Sequence, residues 1–342
     1  MTSSRPSAVP SLAFSDHDVT FFTIGDHAFF PGVAGLVESL RTLGYTHRIV
    51  IADCGFAEAE RAALQPHATL IPLSRDDVKN PQQYKAFPYL VNPRGTVVII
   101  DSDIVVTSSL DDVLLSAQEG RIGVFPDPED QRWFAEWQDI FGLAGPPRRQ
   151  VYVNSGLVVF SATHWPRLLE RWWHACARIF DDLTIREGAA RNHPTSQSDQ
   201  DALNALLMSE VAGGAIAYQP KNAMVFRWDF ERVRVEDATT LRCTFENTRV
   251  VALHAVAGPK PWQHAAAGEA SPRNAYARLL RRLLTADDAR VRVDARALPR
   301  WLQRGAMGSL SFAGRGWVRA VRSMLPRRTG VVARARKLRG RR

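Results

Sequence analysis

The sequence predicts an α/β fold, a mostly parallel sheet covered by helices, continued by a basic helical extension. Three observations carry that expectation. Short apolar runs rich in Val, Ile and Phe alternate with amphipathic stretches through the first half; one such run, Thr96–Ile100, is apolar on both faces; and the charge changes sign late in the chain. The 342 residues carry a formal net charge of +9, but residues 271–342 hold 20 basic and 3 acidic side chains. Residues 1–270 therefore hold 24 basic and 32 acidic ones. An acidic body with a basic end argues against a protein that coats nucleic acid.

Element by element, Val19–Ile24 reads as a strand, and Phe30–Leu43 as a helix with Val33, Leu36, Val37 and Leu40 on one face. His47–Ala52 and Ala68–Leu73 read as strands flanking a helix over Ala57–Leu64. Thr96–Ile100, buried on both faces, is expected as a central strand, and ligands of open α/β sheets bind at the carboxyl ends of such strands. Beyond it the pattern predicts a strand over Arg121–Phe125, an aromatic-rich helix or lid over Glu129–Phe141 and a long strand over Gln150–Phe160. Helices over Thr163–Phe180 and Ser198–Met208 and a strand over Val250–Leu253 complete the pattern.

Composition bounds the class. Forty-five per cent hydrophobic residues, with 16 Phe and 9 Trp, supply a large core. No apolar run approaches the roughly 20 residues of a membrane-spanning helix, and Met1–Pro10 is polar, so a soluble, cytoplasmic chain is expected. Cys54, Cys176 and Cys243 are odd in number and scattered, which suits buried thiols rather than disulfides or a CxxC metal site.

The chemistry concentrates after Thr96–Ile100, at Asp101-Ser102-Asp103. In an extended backbone, side chains two apart point the same way, so both carboxylates can face one ligand. Two carboxylates held together repel unless a cation or proton lies between them, and a hard divalent metal is the economical occupant. Asp-x-Asp at a strand end also serves as turn or capping chemistry, and the surrounding sequence has to decide.

That surrounding sequence resembles the retaining glycosyltransferases of glycosyltransferase family 8, which include glycogenin and bacterial lipopolysaccharide galactosyl- and glucosyltransferases. Roughly residues 19–262 are covered. Asp101-Ser102-Asp103 followed by Ile104-Val105-Val106 is similar to the family's metal-binding DXD, and Lys85 matches a donor-contacting basic residue. Asn154-Ser155-Gly156 is similar to its N-A/S-G strand, Asp199-Gln200-Asp201-Ala202-Leu203-Asn204 to DQ-x-x-LN, and His254 to Trp262 to H-x-x-G-x-x-K-P-W. The departure is Ala257 at the family's glycine, with Gly258 one place later; alanine lacks glycine's freedom at positive φ. Thr23, Ile24 and Asp26 match the nucleotide-binding strand end only loosely.

The resemblance implies a GT-A fold over residues 19–267, a Rossmann-like mixed sheet flanked by helices. A flexible segment 1–18 precedes it and a basic amphipathic tail 268–342 comes after it. It implies a metal (Mn, or Mg) on Asp101, Asp103 and His254, and a UDP-sugar contacted by Lys85, Ser102, Asp127, Asn154, Ser155, Gly258 and Lys260. Asp199 would bind the donor hexose, Gln200 would lie on the far face of its anomeric carbon, and Lys260 would stabilise departing UDP. An amide is a poor nucleophile, which favours a positional or electrostatic role for Gln200.

The residues also have plain structural readings: Ser198 as helix N-cap with Asp199 in the first turn, Asp127 between two prolines as a turn residue, His254 as a structural histidine. Trp133 and Trp137, at helical spacing, are the acceptor-site candidates. In the tail, Tyr276–Leu284 and Trp317–Leu325 place apolar residues opposite Arg, a pattern expected to lie on an anionic membrane surface, in preference to binding nucleic acid or packing on the acidic body. The expected function is transfer of a hexose from a UDP-sugar to a cell-envelope glycan or lipid-linked acceptor, by an enzyme peripheral on the inner membrane face. A sugar-nucleotide hydrolase or nucleotidyltransferase on the same fold, and a non-catalytic glycan- or partner-binding protein, are the alternatives.

Overall fold

The computed structural model describes residues 19–73, 81–91, 95–181, 192–263, 271–294 and 298–324. In chain order the first elements are β1 (Val19–Gly25), α1 (Phe30–Thr42), β2 (Arg48–Asp53), α2 (Glu58–Leu64) and β3 (Thr69–Pro72). Next come α3 (Pro88–Val91), β4 (Thr96–Ile100), β5 (Ile104–Val106), α4 (Asp111–Gln118), β6 (Ile122–Pro126), α5 (Trp137–Phe141), β7 (Val153–Phe160), α6 (Trp165–Asp181) and α7 (Asp199–Glu210). The remainder is β8 (Ile216–Tyr218), β9 (Met224–Phe226), β10 (Arg234–Asp237), β11 (Arg242–Phe245), β12 (Thr248–Arg249), β13 (Ala252–His254), α8 (Ala275–Thr285) and α9 (Gly305–Met324).

Seven strands form the main sheet in the order β3-β2-β1-β4-β7-β6-β8. It is mostly parallel; β7 runs antiparallel to both β4 and β6. Strand alternation divides the core between the two faces. Phe21, Val98 and Ile100 point into a core shared with α1 and α8, while Phe22, Val97 and Ile99 point into one shared with α6 and α7. The predicted alternation and central β4 are therefore present.

Two differences from the sequence reading have physical causes. The helix expected over Glu129–Phe141 is reduced to Trp137–Phe141. Upstream, the Arg132 guanidinium is drawn into a buried bidentate pair with Asp201, with N···O distances of 2.7 Å, and also donates to His193 O; tertiary contacts there override local helical spacing.

The second difference concerns α8. Tyr276, Leu279, Leu280, Leu283 and Leu284 are buried in the same core as α1. The helices approach so closely that a Cβ on Gly35 would lie 2.4 Å from Leu280 Cδ1. Glu38 on α1 anchors the chain just beyond α8, accepting from the Arg290 and Val291 amides at 2.9 and 3.0 Å and pairing with the Arg290 guanidinium at 3.0 Å. The apolar face of Tyr276–Leu284 is thus covered by the chain's own core rather than presented to a membrane. The side chains of the second amphipathic stretch, Trp317–Leu325, lie outside the described residues. Among the described residues no helix is long and apolar enough to cross a membrane.

Candidate functional site

The site forms where β4 ends and the antiparallel β7 begins. Asp101 to Asp103 form a tight turn, closed by the Ile104 amide on Asp101 O at 3.1 Å, and not the extended segment that their spacing predicts. The carboxylates converge because the turn bends the chain between β4 and β5. Antiparallel pairing of β5 with β13 then sets His254 opposite Ile104, beside Asp103. Donor atoms of Asp101, Asp103 and His254 all lie within 4.8 Å of one another.

The hydrogen bonds identify the face that His254 presents. Asn154 Nδ2 points at two acceptors, Asp127 Oδ2 at 3.1 Å and Gln200 Oε1 at 2.9 Å, so Asn154 Oδ1 must accept. It accepts from His254 Nδ1 at 3.0 Å and from the Gly156 amide at 2.9 Å. With the Nδ1 proton so committed, Nε2 faces Asp103 at 3.2 Å and Asp101 at 3.5 Å. Burial pulls the imidazole pKa down, but the charges of Asp103 and Asp101 outweigh it and hold it up to about 8. Burial in turn opposes ionisation of Asp103, yet His254 and Lys260 keep its carboxyl well below the usual range. Gly156 is required here: a Cβ would come within 2.2 Å of His254 Cε1.

The residues fit a divalent metal. Asp103 Oδ1 is buried, with the His254 ring nitrogen 3.2 Å away as its polar neighbour, and the histidine supplies one nitrogen beside two carboxylates, an N,O donor set that suits manganese better than calcium. The outer contact from Asn154 orients the histidine, as second partners of metal ligands do. The local charge agrees. Lys85 Nζ lies 2.9 Å from Asp101 and 2.9 Å from Asp199, and Lys260 Nζ lies 2.6 Å from Asp103. With the imidazole neutral, as a metal ligand must be, three carboxylates against two ammonium groups leave negative charge for a cation to compensate; without a metal, the protonated imidazole supplies that compensation. Burial penalises the Lys85 ammonium, but the charges of Asp101 and Asp199 raise its pKa above the ordinary value.

Helix α7 brings the next residues. Ser198 precedes it at φ 48° with no capping hydrogen bond, so the expected Ser198 N-cap is absent; the Asp201 carboxylate accepts from the Gln197 amide at 2.7 Å instead. Asn204 ties α7 to β7, exchanging two 2.8 Å bonds with the Val153 backbone. The Trp172 indole of α6 donates to Asp199 O at 2.8 Å. Held this way, Asp199 accepts from Ser155 Oγ at 2.8 Å. The Gln200 amide oxygen accepts from Asn154 Nδ2 at 2.9 Å and the Ser155 amide at 3.1 Å, and its nitrogen donates to Asp127 at 3.1 Å. Both lone pairs of that oxygen are engaged, leaving it poorly placed to attack carbon.

Two connected cavities share Gln82, Lys85, Asp101, Asp103 and Lys260. The smaller, of about 190 Å³, is walled by Ile24, Asp26, Phe29, Cys54 and Ser102; the larger, of about 640 Å³, by Asp127, Asn154, Ser155, Asp199, Gln200 and His254. Thr23 sits in β1, buried, its hydroxyl without a partner. Ala257 does adopt the left-handed backbone, at φ 54°, followed by Gly258 at 49°, and Arg227 clasps the Ala257 carbonyl at 2.7 Å. Ala257 and Val256 line the larger cavity, together with Gln197, Phe226 and Trp228.

Trp137 is fully buried, its indole bonded to Pro194 O at 2.5 Å, so the sequence-predicted Trp133–Trp137 platform does not form. The exposed aromatic at the cavity is Trp228, 61% accessible. It lies between strands of three or four residues, too short to carry a periodic signal that would have singled it out.

No family model and no curated protein matches the chain. Among solved structures, the chain is similar to glycosyltransferases. Two are structures of LgtC. The galactosyltransferase in complex with donor and acceptor sugar analogs is 17% identical, covering 79% of this chain and 98% of that one at TM-score 0.46. An active-site mutant of LgtC is 16% identical over 72% of this chain and 90% of that one, at TM-score 0.49. The bifunctional glycosyltransferase WbbM in its apo form is 15% identical over 74% of this chain and 48% of that one, at TM-score 0.47.

Proposed function

We propose that the chain is a metal-dependent glycosyltransferase that moves a hexose from a UDP-sugar to a glycan acceptor. One observation carries the reading: Asp101, Asp103 and His254 converge within 4.8 Å where a smaller cavity opens into a larger one. A divalent ion there would supply charge neutralisation to a diphosphate. Lys260, a flexible point charge beside Asp103, is positioned to accompany negative charge growing on the departing UDP. The smaller cavity suits the nucleoside, with Asp26 and Ser102 as polar contacts and Lys85 at the junction.

In the larger cavity Asp199, Asp127, Asn154 and Ser155 offer hydroxyl-binding groups to the hexose. Gln200, its oxygen held by two donors, acts in this reading by position and dipole rather than as a covalent nucleophile. Retention at the anomeric carbon is taken from the family resemblance. The basic end is assigned to an anionic membrane surface: residues 319–342 contain ten basic and no acidic side chains, each basic group near such a surface contributing about 1 kcal/mol. A chain ending at residue 318 should then lose binding to phosphatidylserine vesicles, and undiminished binding rejects that assignment.

A screen of UDP-sugars with manganese, reading UDP release, tests the activity. One donor should be turned over, with release lost in Asp103→Ala; turnover that persists in Asp103→Ala rejects the metal assignment. Release that never depends on any acceptor would favour a hydrolase.

A further inference from the structure

A third cavity, of about 220 Å³, lies behind the site and shares Pro128, Phe226 and Trp228 with the large one. The three cavities thus form a row, and a donor whose nucleoside fills the first and whose sugar reaches Asp199 and Gln200 leaves the Trp228 end open. The Trp228 ring stacks on Phe226, centroids 5.6 Å apart and planes 14° from parallel, and Phe226 sits 6.0 Å from the His254 ring. Phe226 is buried and Trp228 exposed, so the stack fixes the indole from below and leaves its other side to a ligand. A rigid aromatic face next to polar groups suits the apolar side of a pyranose ring.

The far cavity differs in charge from the donor end. Its cations are matched by carboxylates: Arg232 pairs with Asp229 at 2.6 Å and with Glu246, and Lys221 with Asp130 at 2.6 Å. Asn222 donates to Glu246 at 3.2 Å. Cross-linked in this way, the groups are held in place and balanced, a wall that suits neutral hydroxyls better than a phosphate or an anionic headgroup. Glu246 reaches it from the β11–β12 turn, where Glu246 and Asn247 take φ of 48° and 63°.

We infer that Trp228 and this cavity form an acceptor site for the last two sugars of a neutral oligosaccharide, the cavity taking the penultimate one. The inference rests on the transferase reading and gives it a substrate class: a glycan of at least two residues rather than a monosaccharide. The terminal sugar lies on the free face of Trp228 next to the reacting centre; the one before it meets Asn222, Arg232 and Glu246.

The test is retention of the full chain, loaded with UDP and manganese, on an array of neutral mono- to tetrasaccharides, with UDP-sugar turnover measured on the same preparation. Wild type should prefer a set of oligosaccharides over their terminal monosaccharides by roughly tenfold, and Trp228→Ala should lower that retention by roughly tenfold, the order expected for one aromatic contact. Trp228→Phe should recover part of it, and Glu246→Gln should narrow the preference for length. An unchanged unfolding midpoint for Trp228→Ala shows that the variant folds, as its exposure predicts. Equal retention of monosaccharides and oligosaccharides, retention independent of Trp228, or no retention of any glycan overturns the inference. A protein that turns over a UDP-sugar but shows one of these results loses the subsite alone; one that neither binds UDP nor releases it loses the transferase reading as well.

Discussion

Replacing Arg132 with Ala strikes the support of the site rather than the site itself. Arg132 and Asp201 have side chains only 6% and 0% exposed and meet through two 2.7 Å bonds. Tyr152 OH, at 2.8 Å, and the Gln197 amide, at 2.7 Å, complete the shell around the carboxylate. Removing one partner of a buried pair leaves an uncompensated charge and costs about 3–5 kcal/mol. At roughly 1.5 °C per kcal/mol for a chain of this length, the unfolding midpoint should drop by about 5–7 °C. Asp199 and Gln200 occupy the same helical turn as Asp201, so turnover should fall too.

The deficit should also depend on pH, with a definite sign. Burial raises the Asp201 pKa above its ordinary value, while Arg132, Tyr152 and the Gln197 amide pull it back. A carboxyl raised in the folded state contributes stability below its unfolded pKa, about 3.9, and loses it as pH rises through the folded value. Without Arg132 the gap widens, so the deficit of Arg132→Ala should be largest at neutral pH and shrink toward pH 4. The double variant Arg132→Met, Asp201→Leu should recover only part of the loss, because Tyr152 OH and the Gln197 amide lose their acceptor. Thermal unfolding from pH 4 to 8 measures this; a neutral-pH loss under about 1 kcal/mol, or a deficit growing toward acid, refutes the reasoning.

Three other contacts give outcomes of their own. Gly156→Ala drives a methyl into His254 and should weaken manganese binding by roughly 10–100-fold in calorimetry, as loss of a ligand's outer support does; unchanged affinity would separate His254 from the metal. Ala257→Gly relieves a left-handed alanine at φ 54° and, after the entropy cost of glycine, should stabilise by about 0.5 kcal/mol in denaturant titration; destabilisation would contradict the strain. Leu280→Ala, fully buried against α1, should cost about 2–5 kcal/mol, whereas a residue in an undocked tail would cost almost nothing.

Much of the fold is legible from local pattern. The alternation from β1 to β3 and the doubly buried β4 follow from periodicity, and the DXD, N-S-G, DQ and His-Lys segments are contiguous enough to be read one by one. What brings them together is not legible in the same way. Strands β5, β9 and β13 have three residues each, too few to show a period, yet their pairing places His254 beside Asp103. The α8 pattern is equally a membrane face or a core face, because the sequence of a helix does not name the surface that covers it. Helical spacing favours Trp133 and Trp137 as a pair, but Arg132 draws its segment out of helix toward Asp201. Trp228 becomes visible only once the cavities are.

The central claim, a metal-dependent UDP-sugar site at Asp101, Asp103 and His254, is tested most directly by calorimetric titration of UDP with and without manganese. Tight binding with manganese, little in chelator, and loss of the manganese dependence in Asp103→Ala are the expected results; equal UDP affinity in manganese and in chelator would contradict the claim.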